Sequence, residues 1–288
     1  MRSTQSLTTN FNYFEKLLYP GSFSFKKERG VMAGIVDSHA HVCGALLFPR
    51  FEEVIADAKA AGVEKIMIVC TEVDEAKRAI EIAKENPMFD VACAFYPNDV
   101  AKASEADWEE LEKLVRLPEV KAVGEIGMDY FEYDVTVPKE MQKEAFIKQI
   151  NWANELGKPI LVHMRLATDD TRAIMKEHLK VPGIMHCYSG GFEAMQDFLD
   201  MGMYISFSGN ITFELDDVST QEAVKRVPLD RILVETDAPS LTPAPVQHLA
   251  NEPKYIVHVI DHICKVRGME RQELIDAVNE NYKRLMGQ

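Results

Sequence analysis

The chain has 288 residues, 47% hydrophobic and 27% charged, enough for one large core or at most two ordinary domains. Its net charge of −14 argues against broad non-specific binding to duplex DNA, but leaves room for a single phosphate held by bound metal. No apolar run approaches the roughly 20 residues that a membrane span needs, so no membrane association is expected.

Residues 1–31 carry five basic and two acidic side chains, a net +3 that leaves −17 for the rest. The stretch lacks the continuous apolar core of a secretory signal and shows neither helical nor strand periodicity. It reads as an N-terminal extension without fixed structure, or as an upstream start with Met32 the natural one; an organellar transit segment is the alternative. Residues 32–288 read as a single domain.

From residue 34 a short β-branched or apolar run alternates with an amphipathic stretch. The runs are 34–42, 65–70, 90–97, 122–130, 159–165, 183–189, 204–209 and 232–239, eight predicted strands. The stretches between them, 50–61, 74–85, 107–117, 139–156, 168–179, 192–201 and 218–226, are predicted helices, and 253–267 and 270–285 close the chain. The clearest, 139–156, has the i, i+3, i+4 apolar spacing of a half-buried helix and stops at Gly157, with Pro159 just beyond. Alternating strands and helices imply parallel pairing with right-handed crossovers. Eight such units in about 250 residues predict an α/β fold of the (β/α)8 TIM-barrel kind. An open doubly wound sheet is the alternative, and the absence of a glycine-rich loop after the first strand counts against its dinucleotide-binding form.

Chemistry in such a barrel gathers at the C-terminal ends of the strands. His39 and His41 end the first, Glu125 lies on the fourth, His163 ends the fifth, His186 the sixth and Asp237 the eighth. Side chains two apart on a strand share a face, so His39 and His41 point the same way. Under the helix layer two imidazoles are hard to satisfy; at the barrel mouth they converge on a cation. Taken singly, each of these residues is more often a satisfied polar group than a ligand. Together, four imidazoles and two carboxylates at one end of a barrel call for positive charge. Six ligands exceed one tetrahedral ion and suit two divalent ions, roughly 3.5–4 Å apart, sharing a bridging carboxylate; magnesium, manganese and zinc all accept such donors.

The remaining histidines, His178, His248, His258 and His262, have no such placement, and the last two read as a helix-packing or surface pair. The five cysteines are scattered without CxxC spacing, which suggests neither a zinc ribbon nor a disulfide framework and fits a reducing, cytoplasmic setting. Cys43 and Cys187 each lie close behind a candidate ligand and read as packing residues. Asp37 reads as a support that orients a ligand histidine from behind.

The stretches "VDSHAHV", "AVGEIGMDY", "KPILVHMRLA", "MHCYSGG", "GMYISFSGNITF" and "PLDRILVETDAPSLTP", in this order, resemble the TatD family of metal-dependent hydrolases over residues 35–287. The resemblance implies a barrel with one or two divalent metals and hydrolytic, typically DNase, activity. It implies that His39 and His41 hold the first metal, that Glu125 bridges both, and that His163 and His186 hold the second. Asp237 would complete the first site and handle the proton of the attacking water. Three stretches depart from the family pattern. "FYP" puts Tyr96 where a histidine is usual, "VHMRLA" puts Leu166 where an acid is usual, and "VQHLANEP" has no basic residue until Lys254. All three fall where substrate would touch the mouth, with Arg165 and Tyr96 as the candidate substrate contacts. Arg165 otherwise reads as an ion-pair partner inside the mouth.

The function expected is a metal-dependent deoxyribonuclease cleaving phosphodiester bonds at DNA ends or in single strands, with no obligatory protein partner. The alternative is hydrolysis of a small amide, ester or lactone, favoured by the thinned basic loop. A non-catalytic metal-binding scaffold is the third reading.

Overall fold

The computed structural model describes residues 34–131, 137–213 and 218–288; the extension read at residues 1–31 lies outside them. Eight strands run in chain order: β1 (Ile35–Ala40), β2 (Val63–Cys70), β3 (Phe89–Cys93), β4 (Val120–Asp129), β5 (Ile160–Arg165), β6 (Gly183–Met185), β7 (Met203–Phe207) and β8 (Ile232–Val234). Each pairs in parallel with the next. Helices α1 (Phe51–Ala60), α2 (Val73–Glu85), α3 (Glu105–Val115), α4 (Lys139–Leu156), α5 (Thr168–His178), α6 (Gly191–Asp200) and α7 (Val218–Arg226) fill the crossovers. The closing helices are α8 (Ile256–Arg267) and α9 (Arg271–Met286). The expected (β/α)8 barrel is the observed fold. Strand runs such as Ile66–Cys70 are wholly buried because the barrel interior covers one face and helices the other.

The seam between β8 and β1 is held by isolated bonds and side chains. The Asp237 amide donates to the His39 carbonyl (2.9 Å), and the His41 amide to the Ala238 carbonyl (2.8 Å). Ser38 Oγ donates to the Val234 carbonyl and lies 3.0 Å from Ser206 Oγ. This closure brings the two ends of the sheet, and the ligand candidates on them, to one mouth.

Several strands end earlier than the sequence pattern predicts, β1 at Ala40 and β3 at Cys93 among them, and β6 and β8 for a reason that is visible. β6 stops at Met185 and β8 at Val234, because Cys187 and Asp237 take left-handed backbone conformations, with φ of 43° and 56°. Neither is glycine, so nothing in the apolar pattern marks the turn. On β4, the ladder to β5 shifts register between Val123 and Ile126, a bulge that aims Glu125. Gly127 nearby has φ 143°, and a Cβ there would collide with the His163 carbonyl oxygen; only glycine lets β4 and β5 approach so closely.

Helix α4 ends at Gly157, which takes φ 64°, as its sequence predicts. Its buried face is not wholly apolar. Gln142 and Gln149 are both buried, seven residues apart, and each clasps one residue of main chain. Gln142 accepts from the Asp129 amide (2.8 Å) and donates to its carbonyl (2.9 Å). Gln149 does the same for Phe95, at 2.7 and 3.1 Å. The helix thus fixes the ends of β3 and β4, where backbone pairing has run out.

Candidate metal centre

Glu125 sits at the centre of the barrel mouth, with its two oxygens facing different histidine pairs. Oε1 lies 2.7 Å from His163 Nδ1 and 2.9 Å from His186 Nε2. Oε2 lies 3.4 Å from His39 Nε2 and 3.5 Å from His41 Nε2. Asp237 Oδ1 joins the second pair, 3.7 Å from His39 and 3.5 Å from His41. All six candidate ligands named from the sequence therefore meet. Two triads, His39–His41–Asp237 and Glu125–His163–His186, each offer ligand atoms within 4.8 Å of one another. His178, His248, His258 and His262 belong to no such group among the described residues.

Each ring also has a rear nitrogen. His41 Nδ1 lies 3.1 Å from the Val69 carbonyl, His163 Nε2 3.1 Å from Asp129 Oδ2, and His186 Nδ1 3.1 Å from Glu235 Oε1. Carbonyl and carboxylate oxygens accept, so these rear nitrogens carry protons, and in the neutral rings the forward nitrogens are left with lone pairs for a cation. Asp129 and Glu235, which hold two of the candidate ligands from behind, are residues that the sequence reading did not single out. Glu235 was findable: it lies two residues before Asp237.

The electrostatics call for a cation. Burial pushes the Glu125 carboxyl up, but the His186 charge and hydrogen bonds from His163, His186 and His39 outweigh it and hold the group well below the ordinary carboxylate value. Asp237 is held low in the same way, against burial, by its bond from His41 and the charges of His186, His39 and His41. Burial would lower His41, yet bonds to Asp237 and Glu125 raise it to about 10. His186 is likewise raised against burial by Glu125 and Glu235. Burial itself wins at His39, which is lowered. The ion-pair partners of Glu125 and Asp237 among the described residues are imidazoles alone. A divalent cation would supply the same compensation without protons on the forward nitrogens, so the donor set fits one.

Asp237 rides on a strained turn that its neighbours over-determine. Asn251 donates to the Thr236 carbonyl (2.8 Å) and the Ser240 carbonyl (2.6 Å), and the Ala238 amide bonds Thr236 Oγ1. Asp37 lies behind this turn. Its carboxylate meets the His39 main-chain amide rather than an imidazole, so it supports the strand, not a ring. Cys187 accepts from Ser208 Oγ (3.2 Å), and burial pushes its thiol up to about 12; Cys43 is fully buried. Both thiols are neutral packing groups, although strand alternation no longer holds at Cys187.

The candidate substrate contacts separate. The Tyr96 hydroxyl donates to Asp129 Oδ2 (2.5 Å) and lies 3.2 Å from His163 Nε2, so it backs a candidate ligand. Arg165 stands at the rim, its guanidinium 3.9 Å from the Phe131 ring centre. Leu46, Phe131, Leu166, Val218 and Leu249, exposed apolar side chains, all come after strand C-termini, the end of the barrel that carries the mouth. Lys254, the first cation after β8, is engaged by Asp57 (2.8 Å) and Glu252 (2.7 Å).

Comparison with known proteins agrees with the geometry. The family model described as TatD-related DNase matches residues 36–287. A metal-dependent hydrolase of Bacillus subtilis, YabD, is 38% identical over 253 residues, covering 87% of this chain and 98% of its own. The 3'-5' ssDNA/RNA exonuclease TatD of Klebsiella pneumoniae is 34% identical over 242 residues, covering 82% and 91%. The crystal structure of YJJV, a TatD homologue of Escherichia coli, superposes with a TM-score of 0.83 at 27% identity, covering 89% of this chain and 99% of that one. An eight-stranded parallel barrel, six histidine and carboxylate side chains at its mouth and a match over nearly the whole described chain lead to one conclusion: the chain belongs to the TatD-related DNase family of metal-dependent hydrolases.

Proposed function

We propose that this hydrolase cleaves phosphodiester bonds at DNA ends or in single-stranded DNA, using two divalent ions. The observation that carries the reading is the split of Glu125: one oxygen faces His163 and His186, the other His39 and His41. On this reading His39, His41, Asp237 and Glu125 hold one ion, and Glu125, His163 and His186 the other. Magnesium, manganese or zinc suits these donors. When bound, the ions lower the pKa of water and polarise the scissile phosphoryl group.

The chain's own groups do the rest. The Asp237 carboxylate, ionised and at the mouth, accepts the proton of the attacking water. Arg165 pairs with a phosphate oxygen beyond the scissile one. Phe131, beneath the Arg165 guanidinium, and the apolar rim offer unpaired bases a stacking face, which suits single strands better than duplex. Tyr96 acts through Asp129 and His163 while facing the mouth. The name of the Klebsiella relative, a single-strand exonuclease, supports this substrate class. Five free cysteines support a cytoplasmic site of action.

A second reading, a small ester, amide or lactone substrate, is favoured by the lack of an available cation just after β8: Lys254 is engaged elsewhere. One assay separates the two. The purified protein, loaded with manganese or magnesium, is given labelled single-stranded DNA beside the Asp237→Asn variant. Cleavage that needs the ion and falls about 10²–10⁴-fold in the variant supports the nuclease. Tight ion binding with no cleavage of any DNA form favours the small substrate.

A further inference from the structure

The four rings at the mouth follow one rule with one gap. His41, His163 and His186 each place a forward nitrogen among the candidate ligands and a rear nitrogen on an acceptor: the Val69 carbonyl, Asp129 and Glu235. His39 places Nε2 forward, 3.4 Å from Glu125 and 3.2 Å from His41 Nε2. Its rear nitrogen, Nδ1, is buried and has no hydrogen-bond partner. A neutral imidazole whose Nε2 lone pair is engaged must carry its proton on Nδ1, and a buried N–H needs an acceptor.

One unsatisfied acceptor is at hand. Glu235 is fully buried; its Oε1 takes the His186 ring and the Cys187 amide (2.6 Å), while Oε2 has no partner. His39 and His186 stack, ring centres 4.0 Å apart and 16° from parallel, which brings His39 alongside the ring that Glu235 already holds. Ligand atoms of His39, His186 and Glu235 lie within 4.8 Å of one another; His39 and Glu235 are not in direct hydrogen-bond contact, so the pairing requires a small rotation of either side chain. We propose that Glu235 is a positioning residue shared by both halves of the centre, its Oε1 fixing His186 and its Oε2 receiving the Nδ1 proton of His39. The proposal rests on the metal reading of the preceding section. It adds that one carboxylate sets the tautomer of a ring from each ion's ligand set, whereas Asp129 and Val69 each serve a single ring.

The Glu235→Gln variant tests the two arms separately. Its amide oxygen still accepts from Cys187 and His186, but its NH2 replaces Oε2, so a donor faces His39 Nδ1–H. Zinc binding to the unaltered protein and to the variant is followed by calorimetry, with histidine tautomers read from long-range proton–nitrogen NMR correlations of the zinc-loaded proteins. The expected result is two zinc steps in the unaltered protein, with His39 protonated at Nδ1. In Glu235→Gln one step weakens by about 10- to 100-fold and His39 loses that tautomer, while His186 keeps its own. Glu235→Ala weakens both steps. A folded Glu235→Gln protein that binds both ions with unchanged affinity overturns the shared role and leaves the metal centre standing. An unaltered protein that binds no zinc, manganese or magnesium overturns both. If neither variant folds, the unaltered zinc-loaded protein decides: a low-field, exchange-protected Nδ1 proton on His39 supports the proposal, and Nε2 protonation of that ring overturns it.

Discussion

Asp37 at the start of β1 and Thr236 just past β8, 199 positions apart, are joined twice: Oδ1 accepts from the Thr236 amide (2.9 Å) and Oδ2 from its hydroxyl (2.6 Å). The same Oδ1 takes the His39 amide at 3.3 Å. One carboxylate thus closes the barrel seam and couples the strand bearing His39 and His41 to the turn bearing Asp237.

Thr236→Val keeps the shape and deletes the hydroxyl. It leaves a buried carboxylate one donor short and the Ala238 amide without its acceptor. The expected cost is about 1–3 kcal/mol, read as a lowered denaturant midpoint with unchanged slope. Because the same contact sets the Asp237 turn, hydrolysis should fall more than ion binding does. A variant as stable and active as the parent would refute the seam's role.

Gln142→Leu strips the Asp129 amide and carbonyl of their side-chain partner at the end of β4. About 2 kcal/mol of destabilisation is expected from the buried polar groups left behind. Amide exchange should quicken at Asp129 while the Phe95 amide, held by Gln149, stays protected. Equal quickening at both positions would argue that the helix as a whole has shifted.

Removing the divalent ions should lower stability, since a ligand that binds only the folded chain stabilises it by about 2.7 kcal/mol at a hundredfold excess over Kd. Thermal midpoints measured with chelator and with rising manganese should climb with ion concentration. Combining His39→Asn with His163→Asn, one ring from each pair, should abolish the climb.

Arg165→Met should raise KM for single-stranded DNA by about tenfold with a smaller change in kcat, since one charge-assisted hydrogen bond to phosphate is worth about 1.5–3 kcal/mol. The effect should shrink at high salt. A KM that stays put would move Arg165 from substrate contact to a structural partner of Phe131.

His258 and His262 on α8 are both lowered from the ordinary histidine value, chiefly by burial, and then by Arg271 and Lys265 respectively. A ring whose folded pKa lies below its unfolded one takes its proton more readily in the unfolded chain. Its contribution is therefore complete above about pH 6.5 and is lost as pH falls through the folded value. Replacing His262, which meets Gln221 at 3.1 Å, with Gln should flatten the fall in stability between about pH 7 and 5. An unchanged pH slope would contradict this.

The barrel and the six candidate ligands were legible because both are local signals. Strand and helix alternation is a periodicity, and His39 and His41 share a face through a spacing of two. The Gly157 stop on α4 is a residue-type signal of the same kind. β6 and β8 were overrun because their turns fall on Cys187 and Asp237, residues whose left-handed conformations are imposed from outside. Gln142 and Gln149 are buried clasps on α4, and no residue-type signal marks a glutamine as one.

By itself, then, the sequence determined the order of elements, the fold class and the kinds of donor atom brought to the mouth, since each is written in neighbours a few residues apart. Tertiary structure alone decided which oxygen of Glu125 faces which histidine pair, that Asp37 braces a seam, that Tyr96 backs His163 through Asp129, and that Glu235 lies behind His186. These pairings join residues from 33 to 199 positions apart, and they are set by strand register, bulges and barrel closure. Such geometry is a property of the whole closed sheet, and no local pattern of residue types encodes it.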